Sequence, residues 1–312
     1  MADIIIIGGS IMGSSIAYHL AMTGRAGDVC VIEPDHTYEW AAAPRSSGGV
    51  RLMHGLFENI EMSRYGREVY KNFPELMDVD GLPGSFDFLE HGYLYLVAGP
   101  DDVAAAEESW KIQTGLGVRN DLLDRDELSA RFPSLYVGDV DAAIHGPQDG
   151  FIDPHAAVTG FRRKATSLGV TYIKDKVVDI QVSGGLAQAV VLESGEIISG
   201  DIVVNVAGAW GPEICAMVGM EVPVQPLSRN TFYFEIQGEV ETMPLTKDPG
   251  GIAFRQEGAG FTVGLTDTDV AFGFNWEVDH DLFESRFWPV LAHRVPAFEA
   301  LQVKRGWAGH YA

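Results

Sequence analysis

The first 33 residues constrain the chain more than any other stretch. Asp3-Ile4-Ile5-Ile6-Ile7 is a short β-branched run, the mark of a strand buried on both faces of a parallel sheet. It leads straight into Gly8-Gly9-Ser10-Ile11-Met12-Gly13, after which Ile16, Leu20 and Met22 recur at helical spacing and Gly24 ends the pattern. A second apolar strand, Val29-Cys30-Val31-Ile32, closes on Glu33. A turn of this kind delivers a helix N-terminus, with its free N–H groups and positive dipole end, to an anionic pyrophosphate. Gly8 permits the sharp turn, Gly13 lets helix and strand pack closely, and Glu33, 20 residues beyond Gly13, accepts hydrogen bonds from a ribose diol. Ser10 stands where the middle glycine of such a turn belongs. Its Cβ is expected to crowd the pyrophosphate, while its hydroxyl can return a hydrogen bond. The acid argues for an unphosphorylated ribose, as in FAD or NAD. Spacing alone does not separate those two.

Composition excludes several other functions. The 312 residues carry 22 basic and 44 acidic side chains, a formal charge of −22, and no basic block. A phosphate backbone needs Lys and Arg to displace its counterions, so no nucleic-acid partner is expected, and an anionic membrane surface would repel the chain. Two cysteines, Cys30 and Cys215, cannot build a disulfide framework or a metal cluster, so no metal is expected and a reducing compartment is. The apolar stretch from Ile4 to Met22 holds Ser10, Ser14, Ser15 and His19 and lacks a basic segment before it. It reads as neither a secretory signal nor a membrane anchor. A cytoplasmic protein is expected.

Further on, Arg45-Ser46-Ser47-Gly48-Gly49-Val50-Arg51 suits either a loop wrapped around a phosphate or flat ring, or a solvated loop. A polar helix begins at Glu58 and continues through Tyr65 and Val69. A second α/β pattern starts at Phe151-Ile152-Asp153-Pro154, with Asp153 as N-cap and Pro154 at the first helical position. Val170 to Ile173 reads as a strand. Val177 to Val182, Ala187 to Leu192 and Ile197-Ile198 alternate as an antiparallel meander, turning at Gly184 and Gly195. Asp201 to Val206 reads as a separate buried strand entering Ala207-Gly208-Ala209-Trp210 and a helix through Met217.

Together these motifs resemble the D-amino-acid oxidase superfamily of FAD-dependent amine oxidoreductases, in its sarcosine oxidase, dimethylglycine dehydrogenase and FOXRED-like branch. The resemblance rests on Ile7-Gly8-Gly9 through His19-Leu20 with Glu33, on Ser47 to Arg51, on Asp149 to Pro154, and on Val203 to Trp210. It selects FAD, and implies an α/β (α+β overall) fold: a Rossmann-like FAD-binding domain with a second, antiparallel-sheet substrate domain. The expected division is 1–80 and 146–220 for FAD, and 81–145 and 221–312 for substrate. The family continues past the segment matching Trp307-Ala308-Gly309-His310-Tyr311, so a C-terminal part of the FAD domain is expected to lie beyond Ala312.

Carried over by position, the turn Gly8, Gly9, Ser10, Ile11, Met12 and Gly13, with Glu33, matches the pyrophosphate and ribose contacts. Ser46, Ser47, Gly48 and Gly49 resemble the loop along the flavin. Val177 matches the residue whose backbone meets adenine, and Ala207 with Gly208 match a second close backbone approach. Trp40 occupies the place of the histidine, and Gly309 that of the cysteine, through which relatives bond the flavin covalently, so non-covalent FAD is expected. Thr262 replaces a lysine that serves oxygen in the sarcosine oxidases, which favours a dehydrogenase over an oxidase.

On the substrate side an amino-acid carboxylate calls for a fixed cation, and Arg51 and Arg255 are the candidates, each with an ordinary structural reading beside it. His54 matches a substrate-side position, and Tyr233 and Tyr311 are candidate pocket residues. The implied reaction is oxidation of the C–N bond of a small amine or N-methyl amino acid. A small-molecule amine and an electron acceptor are the implied partners. The competing reading is a flavoprotein that binds FAD for assembly or scaffolding without turnover.

Overall fold

The computed structural model describes residues 2–265 and 270–311. The strands of the first half are β1 (Ala2–Ile7), β2 (Val29–Ile32), β3 (Gly49–Val50), β4 (Tyr93–Val97), β5 (Asp121–Leu123), β6 (Ala142–Gly146), β7 (Gly150–Phe151) and β8 (Thr171–Ile173). Those of the second are β9 (Val177–Ser183), β10 (Leu186–Leu192), β11 (Ile197–Asn205), β12 (Leu227–Glu235), β13 (Leu245–Lys247), β14 (Ile252–Glu257), β15 (Gly260–Leu265) and β16 (Gln302–Tyr311). They form a six-stranded sheet in the order β8-β2-β1-β11-β10-β9 and an eight-stranded sheet in the order β16-β12-β15-β14-β13-β4-β6-β5. A short ribbon, β3-β7, is the third.

The isoleucine run of β1 lies between two parallel neighbours, β2 and β11. Its side chains alternate between two cores, Ile6 with Ala17, Tyr18, Val31 and Phe161 on one face, Ile5 and Ile7 with Cys30, Ile32 and Val190 on the other. This two-sided burial is why the strand needs apolar residues at every position. Helix α1 (Ile11–Thr23) follows at once and ends on Gly24 in the left-handed region, φ 63°. The helix Pro154–Ser167 packs on α1 through Tyr18 and Phe161, whose ring centroids are 5.6 Å apart. Asp153 caps that helix by accepting from the Ala156 N–H at 2.9 Å.

The structure corrects one part of the reading. Ile197-Ile198 and Asp201 to Asn205 belong to a single strand, β11, antiparallel to β10 at its start and parallel to β1. Gly200 permits this, since a Cβ there would fall 2.7 Å from the Ile5 Cδ1. Nor is the second part of the strand buried, for Ile202 is 54% exposed. This part of the strand pairs along one edge, with β1, and is partly covered on both faces, Val203 against the core of Ile5 and Val204 against that of Ile6.

The eight-stranded sheet is largely antiparallel and presses one face against an aromatic core of Phe232, Phe234, Phe254, Phe261, Phe287 and Phe298. Arg294, 1% exposed, anchors that core's edge. Its Nε donates to Asp248 at 2.6 Å and its terminal nitrogens to Asp139 at 2.9 and 3.1 Å. The opposite face of the sheet meets the loop 44–49, which runs into the β3-β7 ribbon.

Candidate functional site

A cavity of about 450 Å³ opens where β1 hands over to α1. Gly8, Ser10, Ile11, Met12, Glu33, Val177, Ala207 and Gly208 all line it, so the turn, the end of β2, the start of β9 and the exit of β11 converge there. Gly8 has φ +103°, and a Cβ on it would sit 2.6 Å from the Val206 carbonyl oxygen. A Cβ on Gly13 would sit 1.8 Å from the carbonyl oxygen of Gly8. The Glu33 carboxylate accepts from the Gly9 N–H at 2.8 Å and the Asp35 N–H at 3.0 Å. Burial pushes its pKa up, and those two N–H groups oppose the rise.

The cradle suits an anionic diphosphate. The first turn of α1 has no acidic residue, and its N-cap, Ser10, makes no side-chain cap hydrogen bond. The Ser10 hydroxyl is buried without a partner at the mouth of the helix. A buried, unpaired donor beside a positive helix end is a group waiting for an anion. The crowding expected of Ser10 is thus accompanied by a free hydroxyl in the right place.

The loop with Ser46, Ser47, Gly48 and Gly49 lies between the two sheets. Ser46 Oγ donates to the Ala43 carbonyl at 2.7 Å and accepts from the Gly48 N–H at 3.2 Å. Gly48 has φ +63°, and a Cβ there would be 2.3 Å from the Ile152 carbonyl oxygen. Arg45 ties the loop to β16: it donates to the Ala308 carbonyl at 2.6 Å, and Trp307 Nε1 donates to the Arg45 carbonyl at 3.0 Å. Trp40 packs edge-on against Trp276 at 4.7 Å, with the Arg45 guanidinium 4.9 Å from its ring.

Beneath this loop is a second cavity, of about 180 Å³, walled by Ser46, Ser47, Arg255, Thr262, Arg305 and Trp307 among others. Arg255 is 5% exposed and fully engaged. Its Nε donates to the Ser47 carbonyl at 2.7 Å, one terminal nitrogen to the Gln256 carbonyl at 2.7 Å, and the other pairs with Glu257 at 2.5 Å. It holds the loop to the sheet. Thr262 is 4% exposed with its hydroxyl unpartnered.

Four predicted substrate-side residues, Arg51, His54, Tyr233 and Tyr311, line neither cavity. Arg51 is exposed, with its guanidinium 6.0 Å from the Tyr93 ring. His54 is half-buried, and burial followed by the Arg51 charge lowers its pKa. Tyr311 is 61% exposed beneath Arg229. Tyr233 stands beside the second cavity, its ring 5.5 Å from the Arg305 guanidinium. Lys176, Arg305 and Trp307 are wall residues that motif reading missed. Alternation along β16, with Trp307 in a recognised motif, was the available signal for Arg305.

Asp149, 1% exposed, ties the loop region to the β3-β7 ribbon, accepting from the Leu52 N–H at 2.7 Å while its other oxygen has no partner. Burial pushes its carboxyl up to about 7, against the Leu52 N–H and the charges of Arg51 and Arg67. Among the described residues there is no acidic, histidine or cysteine group fit for a metal, and no helix long and apolar enough to cross a membrane. Both cysteines are free.

Comparison with known proteins agrees with this geometry. The model of the family described as FAD dependent oxidoreductase (DAO) matches residues 3–312. The FAD-dependent oxidoreductase domain-containing protein 1 of Xenopus laevis is 33% identical, over 99% of this chain and 70% of its own length. The mitochondrial sarcosine dehydrogenase of Mus musculus is 24% identical over 97% of this chain, which covers 34% of that protein. Among solved structures, L-proline dehydrogenase from P. horikoshii superposes with a TM-score of 0.90 at 26% identity, covering 100% of this chain and 81% of that one.

Proposed function

The chain belongs to the FAD dependent oxidoreductase (DAO) family, and from that premise we propose that it oxidises the C–N bond of a small amine or N-methyl amino acid, FAD accepting the hydride and water hydrolysing the imine. One observation carries this reading: a diphosphate cradle at the start of α1 and a small polar cavity against the second sheet are walled by successive stretches of one segment, 40–43 on the first and Pro44, Ser46 and Ser47 on the second. The names of its relatives, a sarcosine dehydrogenase and an L-proline dehydrogenase, support the same class of donor.

In this reading the sheet containing β1 is the FAD-binding domain, 1–80 with 146–220, and the eight-stranded sheet is the substrate domain, 81–145 with 221–312. Gly8 to Gly13 and the Ser10 hydroxyl hold the diphosphate, Glu33 the ribose, and Val177, Ala207 and Gly208 give close backbone approach. Ser46 to Gly49 pass along the flavin. Arg255 keeps that loop on the sheet, and the loop and sheet exclude water from the reacting centre. Substrate binds as the neutral amine, so no general base is assigned.

Trp40 and Gly309 provide neither a histidine nor a cysteine for a covalent bond, so FAD is held non-covalently and leaves the polypeptide on acid precipitation. Thr262 puts a neutral hydroxyl where a cation would assist oxygen, so the reduced protein reoxidises slowly in air and passes its electrons to another acceptor. The acidic composition and free cysteines fit a cytoplasmic protein. The deciding experiment is anaerobic mixing of the FAD-loaded chain with a panel of N-methyl amino acids and cyclic amino acids. Loss of the oxidised flavin absorbance is expected with at least one. A stable yellow colour across the whole panel would favour a flavoprotein scaffold without turnover.

A further inference from the structure

The segment 40–45 is irregular backbone set between two fixed points. At one end Tyr38, 2% exposed, holds φ 60°, a left-handed conformation that a bulky residue keeps only where its surroundings impose it. At the other, Gly48 is held close over the Ile152 carbonyl. Between them Trp40, Ala41, Ala42 and Ala43 wall the first cavity. The turns of the segment close locally, the Ala41 N–H on the Tyr38 carbonyl and the Ser46 N–H on the Ala43 carbonyl. Among the described residues, its hydrogen bonds to distant parts of the chain belong to Arg45, which donates to the Ala308 carbonyl and accepts on its own carbonyl from Trp307 Nε1.

Arg45 is also the centre of an aromatic clasp. Its guanidinium lies 4.9 Å from the Trp40 ring and 5.2 Å from the Trp276 ring, and the two indoles meet edge-on at 4.7 Å. The Trp276 side is anchored to the second sheet. Its neighbour Asn275 donates its N–H to His310 Nε2 at 3.0 Å and accepts on its carbonyl from Ser228 Oγ at 2.7 Å, while the Trp276 ring stands 4.1 Å from that of His310. The Trp40 side is looser, with that residue 43% exposed. Gly309 completes the fit, since a Cβ there would come within 3.1 Å of the Arg45 Cβ. One cation thus joins the segment to the sheet, through an attraction that strengthens as water is kept out. Breaking it requires no strand or helix to unfold.

We propose that Arg45 is a positioning residue that locks the segment 40–45 as a strap over the first cavity, and that release of the strap from Trp276 is the route by which FAD enters and leaves. Without a covalent bond to the flavin, this lock sets how long the cofactor stays. The proposal rests on non-covalent FAD in the first cavity and goes beyond the C–N oxidation reading, on which it does not depend.

The test reads rates of cofactor exchange, not turnover. FAD entering cofactor-free protein is followed in stopped flow by loss of its fluorescence, and its exit on dilution by the return. A lock that closes with or without cofactor slows entry and exit alike. Arg45→Ala should therefore raise both rate constants roughly 5- to 30-fold while the dissociation constant stays within about 3-fold. Trp276→Leu should do the same, and Trp276→Phe, which keeps a ring, should recover most of the wild-type rates. Trp40→Leu repeats the test at an exposed position, where folding is least at risk. Faster exit with unchanged entry, or no change in either, overturns the proposal. A second arm needs no cofactor: the six tryptophans are replaced by 5-fluorotryptophan. In Arg45→Ala the Trp40 fluorine signal, identified by its loss in Trp40→Phe, should move towards that of a solvent-exposed indole, and a signal that stays in place overturns the strap. If flavin remains with the acid-precipitated chain, the non-covalent reading falls and the fluorine signal decides alone. If the rates move as expected yet no amine bleaches the flavin, the oxidation reading falls and this one stands.

Discussion

The Cβ position of Gly13 and the carbonyl oxygen of Gly8 are 1.8 Å apart, closer than any real pair of such atoms. Helix α1 thus rests directly on the end of β1. Both groups are backbone, so nothing flexible can give way. Gly13→Ala should push the helix off the turn, lowering stability by about 3 kcal/mol and spoiling the anion cradle. The purified variant should show a lower melting temperature and a flavin-to-protein ratio well below wild type. An unchanged ratio would mean that the helix end does not hold the cofactor.

Ser10 carries a hydroxyl that is buried and unpartnered at the same helix end. Ser10→Ala removes the donor and keeps the Cβ, so it isolates the hydrogen bond from the crowding. FAD should bind about 5- to 10-fold more weakly, the effect of one net hydrogen bond, as read by flavin fluorescence titration. Ser10→Gly removes both, and tighter binding there than in wild type would show that crowding outweighs the bond.

Burial holds the Asp149 carboxyl at about 7 in the folded chain, against an ordinary value of 3.8. A carboxyl with a raised pKa favours the folded state while it is protonated. Its contribution is therefore complete below about pH 4 and is lost as the pH rises through about 7. Asp149→Asn removes that dependence. Urea midpoints of the variant should gain on wild type between pH 5 and pH 8, by roughly 2–4 kcal/mol in unfolding free energy. A constant difference between variant and wild type at both pH values would count against a buried, protonated Asp149.

Arg294 lies between Asp248 and Asp139, and its removal would leave Asp248, itself 5% exposed, as a buried charge without a counterion. Arg294→Met should lose about 3–5 kcal/mol. Asp139 is half exposed: burial would raise its pKa, yet hydrogen bonds from Arg294 and His293 and the Arg294 charge hold it at about 2. Asp139→Asn should cost under about 1 kcal/mol. Denaturant unfolding of both variants checks the order, and a larger loss for Asp139→Asn would reverse the assignment of the anchor.

Much of the fold was legible because its signals are local. The isoleucine run, the glycine turn, the Gly24 stop and the Asp153-Pro154 start each act through neighbours a few residues away. The break expected before Asp201 was not legible in the same way. The strand continues through Gly200 because it pairs with β1 from Ala2 to Ile7, close over Ile5, and β1 is far off in the sequence.

The amino-acid sequence by itself determined the strand–turn–helix–strand unit, the acid after it and the family to which the chain belongs, because these depend on short-range order and residue type. Only the tertiary structure decided which arginine is free. Arg255 and Arg305 look equivalent as residues in β-strands. Register across four strands places them on one line, where the Ser47 carbonyl and Glu257 satisfy the first and two aromatic rings leave the second open. Charge is a property of a side chain, but its availability is set by what folding brings beside it.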